Sequence, residues 1–134
     1  MSAEGLTTVE SHFGPKETLD RLEADVKAKG LTVFARIDHA AGAAAVGLPL
    51  LPTAVLIFGN ARGGTPLMQA NPLIGIELPL KVLVWQDTSG RTWLSYADPR
   101  TLAMRYGLPH ETETSVSNLT GVLRALTAKA AGPE

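Results

Sequence analysis

The chain has 134 residues, with 12 Lys and Arg against 13 Asp and Glu, a formal net charge of −1, 45% hydrophobic residues and no cysteine. That length fits one domain, residues 1–134, with its own core, and the missing cysteine excludes disulfide scaffolds, cysteine-ligated zinc modules, iron-sulfur proteins and thiol enzymes. No window concentrates Lys and Arg, so there is no field to hold a polyanion, and nucleic acid is not an expected partner.

The first eight residues lack the basic cluster and apolar core of a secretory signal, which makes the cytoplasm the expected location. Residues 6–13 carry the Thr and Val of a first strand. Gly14-Pro15 then opens a helix with Pro at its first position, Glu17 and Asp20 near its positive end, Lys27 and Lys29 near its negative end, and Gly30 as the stop. Leu19, Leu22 and Val26 share one face of it. Residues 31–38 follow with period two, which predicts a strand that turns Leu31, Val33, Ala35 and Ile37 inward and sends Arg36 and Asp38 to the other side.

No formal charge lies between Asp38 and Arg62, which raises the question of a membrane span. Gly42, Gly47, Pro49 and Pro52 instead divide the stretch into a short helix of small residues, 40–47, and a buried strand, 53–58, so no membrane partner is expected. Residues 59–64 read as a loop. Thr65-Pro66 resembles a helix cap followed by Pro, so 67–71 predicts one or two helical turns. Residues 80–86 and 91–96 flank a turn-rich connection and predict a hairpin. Asp98-Pro99 repeats the cap signature ahead of a helix over 99–106. Val116, Leu119, Leu123, Leu126 and Ala130 form a helical stripe that the sheet or another subunit must cover. This order of elements predicts an α+β layer structure with a mostly antiparallel sheet packed on helices.

Few residues carry chemistry. Asp38-His39 leaves a strand, where a carboxylate beside an imidazole can tune proton transfer, or where Asp38 simply caps the helix that follows. Residues 59–64 with Thr65-Pro66 place a flexible loop at a helix start, an arrangement able to face an anion, though no phosphate-loop or dinucleotide motif accompanies it. Glu77 is a lone carboxylate in an apolar segment, read as a proton-transfer candidate or a solvated rim residue. His12, His39 and His110 show no metal-ligand spacing, Ser11, Ser95 and Ser117 no nucleophile elbow, and no metal or cofactor is implied. Trp85, Trp93 and Tyr96 read as sheet packing.

The segments 34–39, 58–60, 64–72, 78–85 and 94–99, in that order, resemble the domain of unknown function 302 family over about residues 6–126. The resemblance implies a curved antiparallel sheet backed by helices, similar to a TATA-binding-protein half, and a homodimer, with no established activity. Its motif residues include Asp38, His39, Gly59, Asn60, Gly64, Thr65, Met68, Gln69, Leu78 and Pro79, whereas Ala61 departs from the proline many relatives carry there. Three functions follow as expectations. The first is a small polar or anionic ligand held in a cleft lined by Asp38, His39, Asn60, Thr65 and Gln69. The second is an enzyme using His39 as general acid or base with Asp38 or Glu77 orienting it. The third is a homodimeric interaction module whose seam is made by residues 40–58 and the stripe on 116–130.

Overall fold

A computed structural model describes residues 3–133. The predicted hairpin is present as β4 (Leu80–Gln86) and β5 (Thr92–Ala97), with Leu83 opposite Ser95 and Trp85 opposite Trp93. Asp87 closes its connection by accepting the N–H groups of Ser89 and Arg91 at 2.9 and 3.0 Å and the Trp93 indole N–H at 2.9 Å. Those donors, the indole first, hold its carboxyl below the usual range. β1 (Leu6–Ser11) pairs with β5, and β3 (Thr53–Gly59) lies between β4 and β2 (Thr32–Asp38). The result is a five-stranded sheet, β1-β5-β4-β3-β2, antiparallel throughout.

One face of this sheet is covered by α1 (Pro15–Ala28) and α5 (Glu113–Ala131). Leu19, Leu22 and Val26 of α1 and Leu123, Leu126 and Ala130 of α5 are buried against Leu56, Phe58, Val82, Val84, Leu94 and Tyr96. At roughly 1.5–3 kcal/mol for each large side chain removed from water, this layer dominates stability. Val116 and Leu119 complete the α5 stripe against Leu67 of α3 (Ala61–Ala70), Ile74 in a 3-10 turn (Pro72–Ile76), and Leu102 of α4 (Pro99–Arg105). The whole stripe on 116–130 is therefore buried inside the chain and is not available to a seam between subunits.

Two segments depart from the sequence pattern. α3 (Ala61–Ala70) begins inside the expected loop, and its cap is Asn60, whose Oδ1 accepts the Gly63 N–H at 2.8 Å. Gly63 and Gly64 are tolerated there because a Cβ would stand only 3.1 Å from Leu119 and 3.3 Å from Leu78: close helix packing outweighs poor helix propensity. In β2, the register passes from Val33 opposite Phe58 to Ala35 opposite Ile57, leaving Phe34 as a bulge. The extra residue reverses the faces beyond it. Ala35 and Ile37 point away from the helices, and Arg36 points toward them, bonding Asp20 at 2.8 Å and Glu23 at 2.9 Å.

No buried side-chain N or O among the described residues lacks a partner. Asp25, 4% exposed, is held between the ammonium groups of Lys29 at 2.9 Å and Lys129 at 3.1 Å. Burial pushes its carboxyl up, but these two cations outweigh burial and hold it below the ordinary value. A depressed folded pKa adds stability above the unfolded pKa and withdraws it as pH falls through the folded one. Asp25→Asn is expected to cost roughly 1–3 kcal/mol at neutral pH, with the gap to the parent closing below about pH 4; urea melts across that range check this. The caps are tested the same way: Asn60→Ala is expected to cost about 0.5–2 kcal/mol and Thr65→Ala less than about 0.5.

Candidate functional site

The five residues expected to line one cleft occupy two ends of the sheet. Asp38 ends β2 opposite Ala54, whereas Asn60 follows Gly59, which pairs with Thr32 at the other end. Six residues of strand, about 20 Å, lie between them. Asp38 spends its side chain as the cap of α2 (His39–Ala45), accepting the Ala41 N–H at 2.9 Å, and His39 is exposed on the first turn of that helix. Thr65 and Gln69 are exposed on α3. The cleft drawn from the sequence is thus not assembled.

Nor is the enzyme arrangement. Glu77 lies at the β4 end that pairs with Phe58, far from His39. Its carboxylate accepts the Tyr106 hydroxyl at 2.6 Å and faces Arg105 at 3.7 Å, and this hydrogen bond pushes the Tyr106 phenol up, with burial adding to it. Lys81 beside it donates to the carbonyls of Glu77 and Pro79 at 2.8 and 3.1 Å. Burial lowers the Lys81 pKa, partly offset by the Glu77 charge. These bonds tie the 3-10 turn to α4 and β4 and orient no histidine. Among the described residues, no group of three or more His, Asp or Glu could hold a metal ion.

Two features remain. The first is a cleft of about 370 Å3 where α3 and α5 meet the ends of β2 and β3, walled by Leu31, Phe34, Met68, Leu78, Leu119 and Val122. Asn60 and the glycines 59, 63, 64 and 75 also border it. Of the expected ligand residues, Asn60 is the one that reaches it. The second is the sheet face opposite the helices. Strand alternation and register put Leu6 and Thr8, Trp93 and Ser95, Leu83 and Trp85, Val55 and Ile57, and Ile37 on that face. Trp85 and Trp93 stack with ring centroids 6.2 Å apart, and Trp85 donates to Ser95 at 2.9 Å. Leu51 borders the same hollow as the two tryptophans, a space of about 510 Å3. Leu51 also ends an arm from α2 to β3 in which Val46, Leu48 and Leu50 stand exposed.

Sequence reasoning missed Leu31, Leu119 and Val122 because a helix stripe and a strand end carry no mark of a shared cavity. It missed Ile37 on the uncovered face because the bulge at Phe34 leaves no signal in a period-two pattern. Val55 and Leu83 had a signal, since strands apolar on both faces ask for two covers.

Comparison with known proteins agrees with this architecture. A crystal structure titled an uncharacterized conserved protein DUF302 from Bacillus stearothermophilus superposes with a TM-score of 0.84 over 96% of this chain and 99% of that one, at 24% identity. The curated relatives include Fluoride-specific ion channel FluC 1 of Brucella suis biovar 1 (strain 1330), 43% identical over 96% of this chain and 50% of that protein. Fluoride-specific ion channel FluC 2 of Brucella melitensis biotype 1 matches at 43% over 96% of this chain and 47% of its own length. The chain spans about half the length of these curated relatives. Among the described residues, no helix is long and apolar enough to cross a membrane. The family model described as Domain of unknown function DUF302 matches residues 7–126, and the chain belongs to that family.

Proposed function

We propose that this chain is an interaction domain that pairs with a second copy of itself through the uncovered face of its sheet. One observation carries this reading: β3 and β4 carry large apolar side chains on both faces, yet helices cover only one. Leu56, Phe58, Val82 and Val84 are buried under α1 and α5, while Val55, Ile57, Leu83 and Trp85 on the other side are only half-buried. A strand of that kind is at home between two layers.

The arm supplies the remaining area. Five strands of about six residues give a footprint of roughly 24 by 20 Å, about 500 Å2, short of the ~800 Å2 per partner of a stable interface. Leu51, 45% exposed, borders the tryptophan hollow of the face, and Val46, Leu48 and Leu50, 72%, 63% and 49% exposed, precede it in the arm and add apolar area. Among the strand residues on this face Lys81 is the single basic one and Glu10 offsets it, so the face has no positive charge with which to hold a nucleic acid. A polar or anionic ligand bridging Asp38 to Gln69 has no shared cleft to occupy.

A second reading draws on the relatives named fluoride-specific ion channels, of which this fold matches only half. In it, the domain is an accessory module carried beside a membrane-spanning remainder, and its self-pairing brings two such chains together. Removing the matched half from the Brucella suis relative is expected to alter fluoride efflux from loaded vesicles; unchanged efflux and assembly would dismiss this reading.

For the main reading, sedimentation velocity of the unaltered protein at 1–50 µM (roughly the range in which a standard-sized interface is populated) is expected to show a dimer. Ile37→Asp on the face and Leu50→Asp in the arm, both at exposed positions, are each expected to shift it to monomer. Their unfolding free energies at monomeric concentration are expected to stay within about 0.5 kcal/mol of the parent's. A monomeric parent at 50 µM sinks the proposal.

A further inference from the structure

The cleft between α3 and α5 is distinct from the paired face, because its apolar wall of Leu31, Phe34, Met68, Leu78, Leu119 and Val122 shares no side chain with that face. We infer that it binds a small amphipathic carboxylate, an apolar chain of fatty-acid type, with the chain among Leu31, Phe34, Met68, Leu78, Leu119 and Val122 and the carboxylate at Asn60. Three observations converge on this assignment.

The cavity, about 370 Å3, falls within the ~300–1,000 Å3 of small-molecule sites, and its mostly apolar wall with few polar groups matches their usual composition. Its mouth is marked by Phe34, an aromatic 56% exposed. Phe34 is the residue that the β2 bulge sets outside the regular pairing, and bulges commonly re-aim a side chain beside a site. A ring left in water beside an apolar hollow gains by covering an apolar guest.

The polar end is specified as well. Asn60 Oδ1 is committed to the Gly63 N–H at 2.8 Å, which fixes the amide so that Nδ2 is the group left over, without a partner among the described residues. Nδ2 only donates, so the guest group at Asn60 must accept, and the Asn118 amide, the other polar side chain lining the cleft, can donate to it as well. No charged side chain lines the cleft, and the first charge along α3 is the exposed Arg62. With the positive end of a ten-residue helix at the same place, an anionic acceptor is favoured over a neutral one.

The test is an amide NMR titration of the full chain with sodium octanoate. Saturable shifts are expected at Gly63, Gly64, Met68 and Gly75, with Trp85 and Trp93 unmoved, both in intrinsic fluorescence and in their indole signals. Asn60→Asp keeps a capping oxygen for Gly63, so it is expected to leave the unfolding midpoint at or slightly above the parent's while weakening octanoate about tenfold or more, because the second carboxylate oxygen can only accept and repels a carboxylate guest. Phe34→Ala, at an exposed position, is expected to weaken it several-fold. Shifts that do not saturate, shifts centred on the tryptophan face, or undiminished affinity in Asn60→Asp would each overturn the assignment.

Discussion

The structure depends on one-sided burial of the sheet. α1 and α5 lie on the same face, and the side chains that meet there, Leu22, Val26, Leu56, Phe58, Val82, Leu94, Leu123 and Leu126, are almost wholly removed from water. Everything else is hung on that layer. The arm between β2 and β3, the α3 turn and the α4 turn join strands whose order is already set by it, and the second small core under Leu119 and Leu102 seals the end where α3, α4 and α5 converge. Polar groups inside the layer are few and matched, as with the Ser11 and Thr18 hydroxyls at 2.6 Å and the Asp25 carboxylate between its two lysines.

Much of this was legible because helix and strand periods were intact. The stripe of α1, the hairpin around Asp87 and the stripe of α5 follow from spacing alone, and the antiparallel α+β class follows from their order. What the spacing hid was a single inserted residue. In β2 the alternation of Leu31, Val33, Ala35 and Ile37 is unbroken on paper, yet the bulge at Phe34 reverses it, and Arg36 ends among acidic residues of α1 instead of in solvent. In α3 two adjacent glycines concealed a helix, since propensity sees the missing side chain but not the close approach of Leu119 and Leu78 that favours it.

The candidate site was less legible than the fold for a geometric reason. Asp38-His39 and Asn60 each leave the end of a strand, and ends of strands present side chains. In an antiparallel pair, however, successive ends lie at opposite poles, so residues with the same local signature are carried apart by the length of the pair. Both Asp38 and Asn60 are consumed by helix caps through one oxygen. The amide retains a second, donating group, and the carboxylate retains only acceptors; that chemical difference is what separates the two positions once the fold is known.

The bulge at Phe34 also bears on how copies of this molecule can add to one another. β2 is an outer strand of the sheet, and a displaced residue in its middle interrupts the row of free N–H and C=O groups that another strand would need to match. Growth of a continuous ribbon by strand addition along that border is therefore disfavoured. Contact through the broad face is self-limiting, because a face used once by each member of a pair leaves none for a third. An aromatic residue set out of step thus guards this edge of the sheet against strand addition.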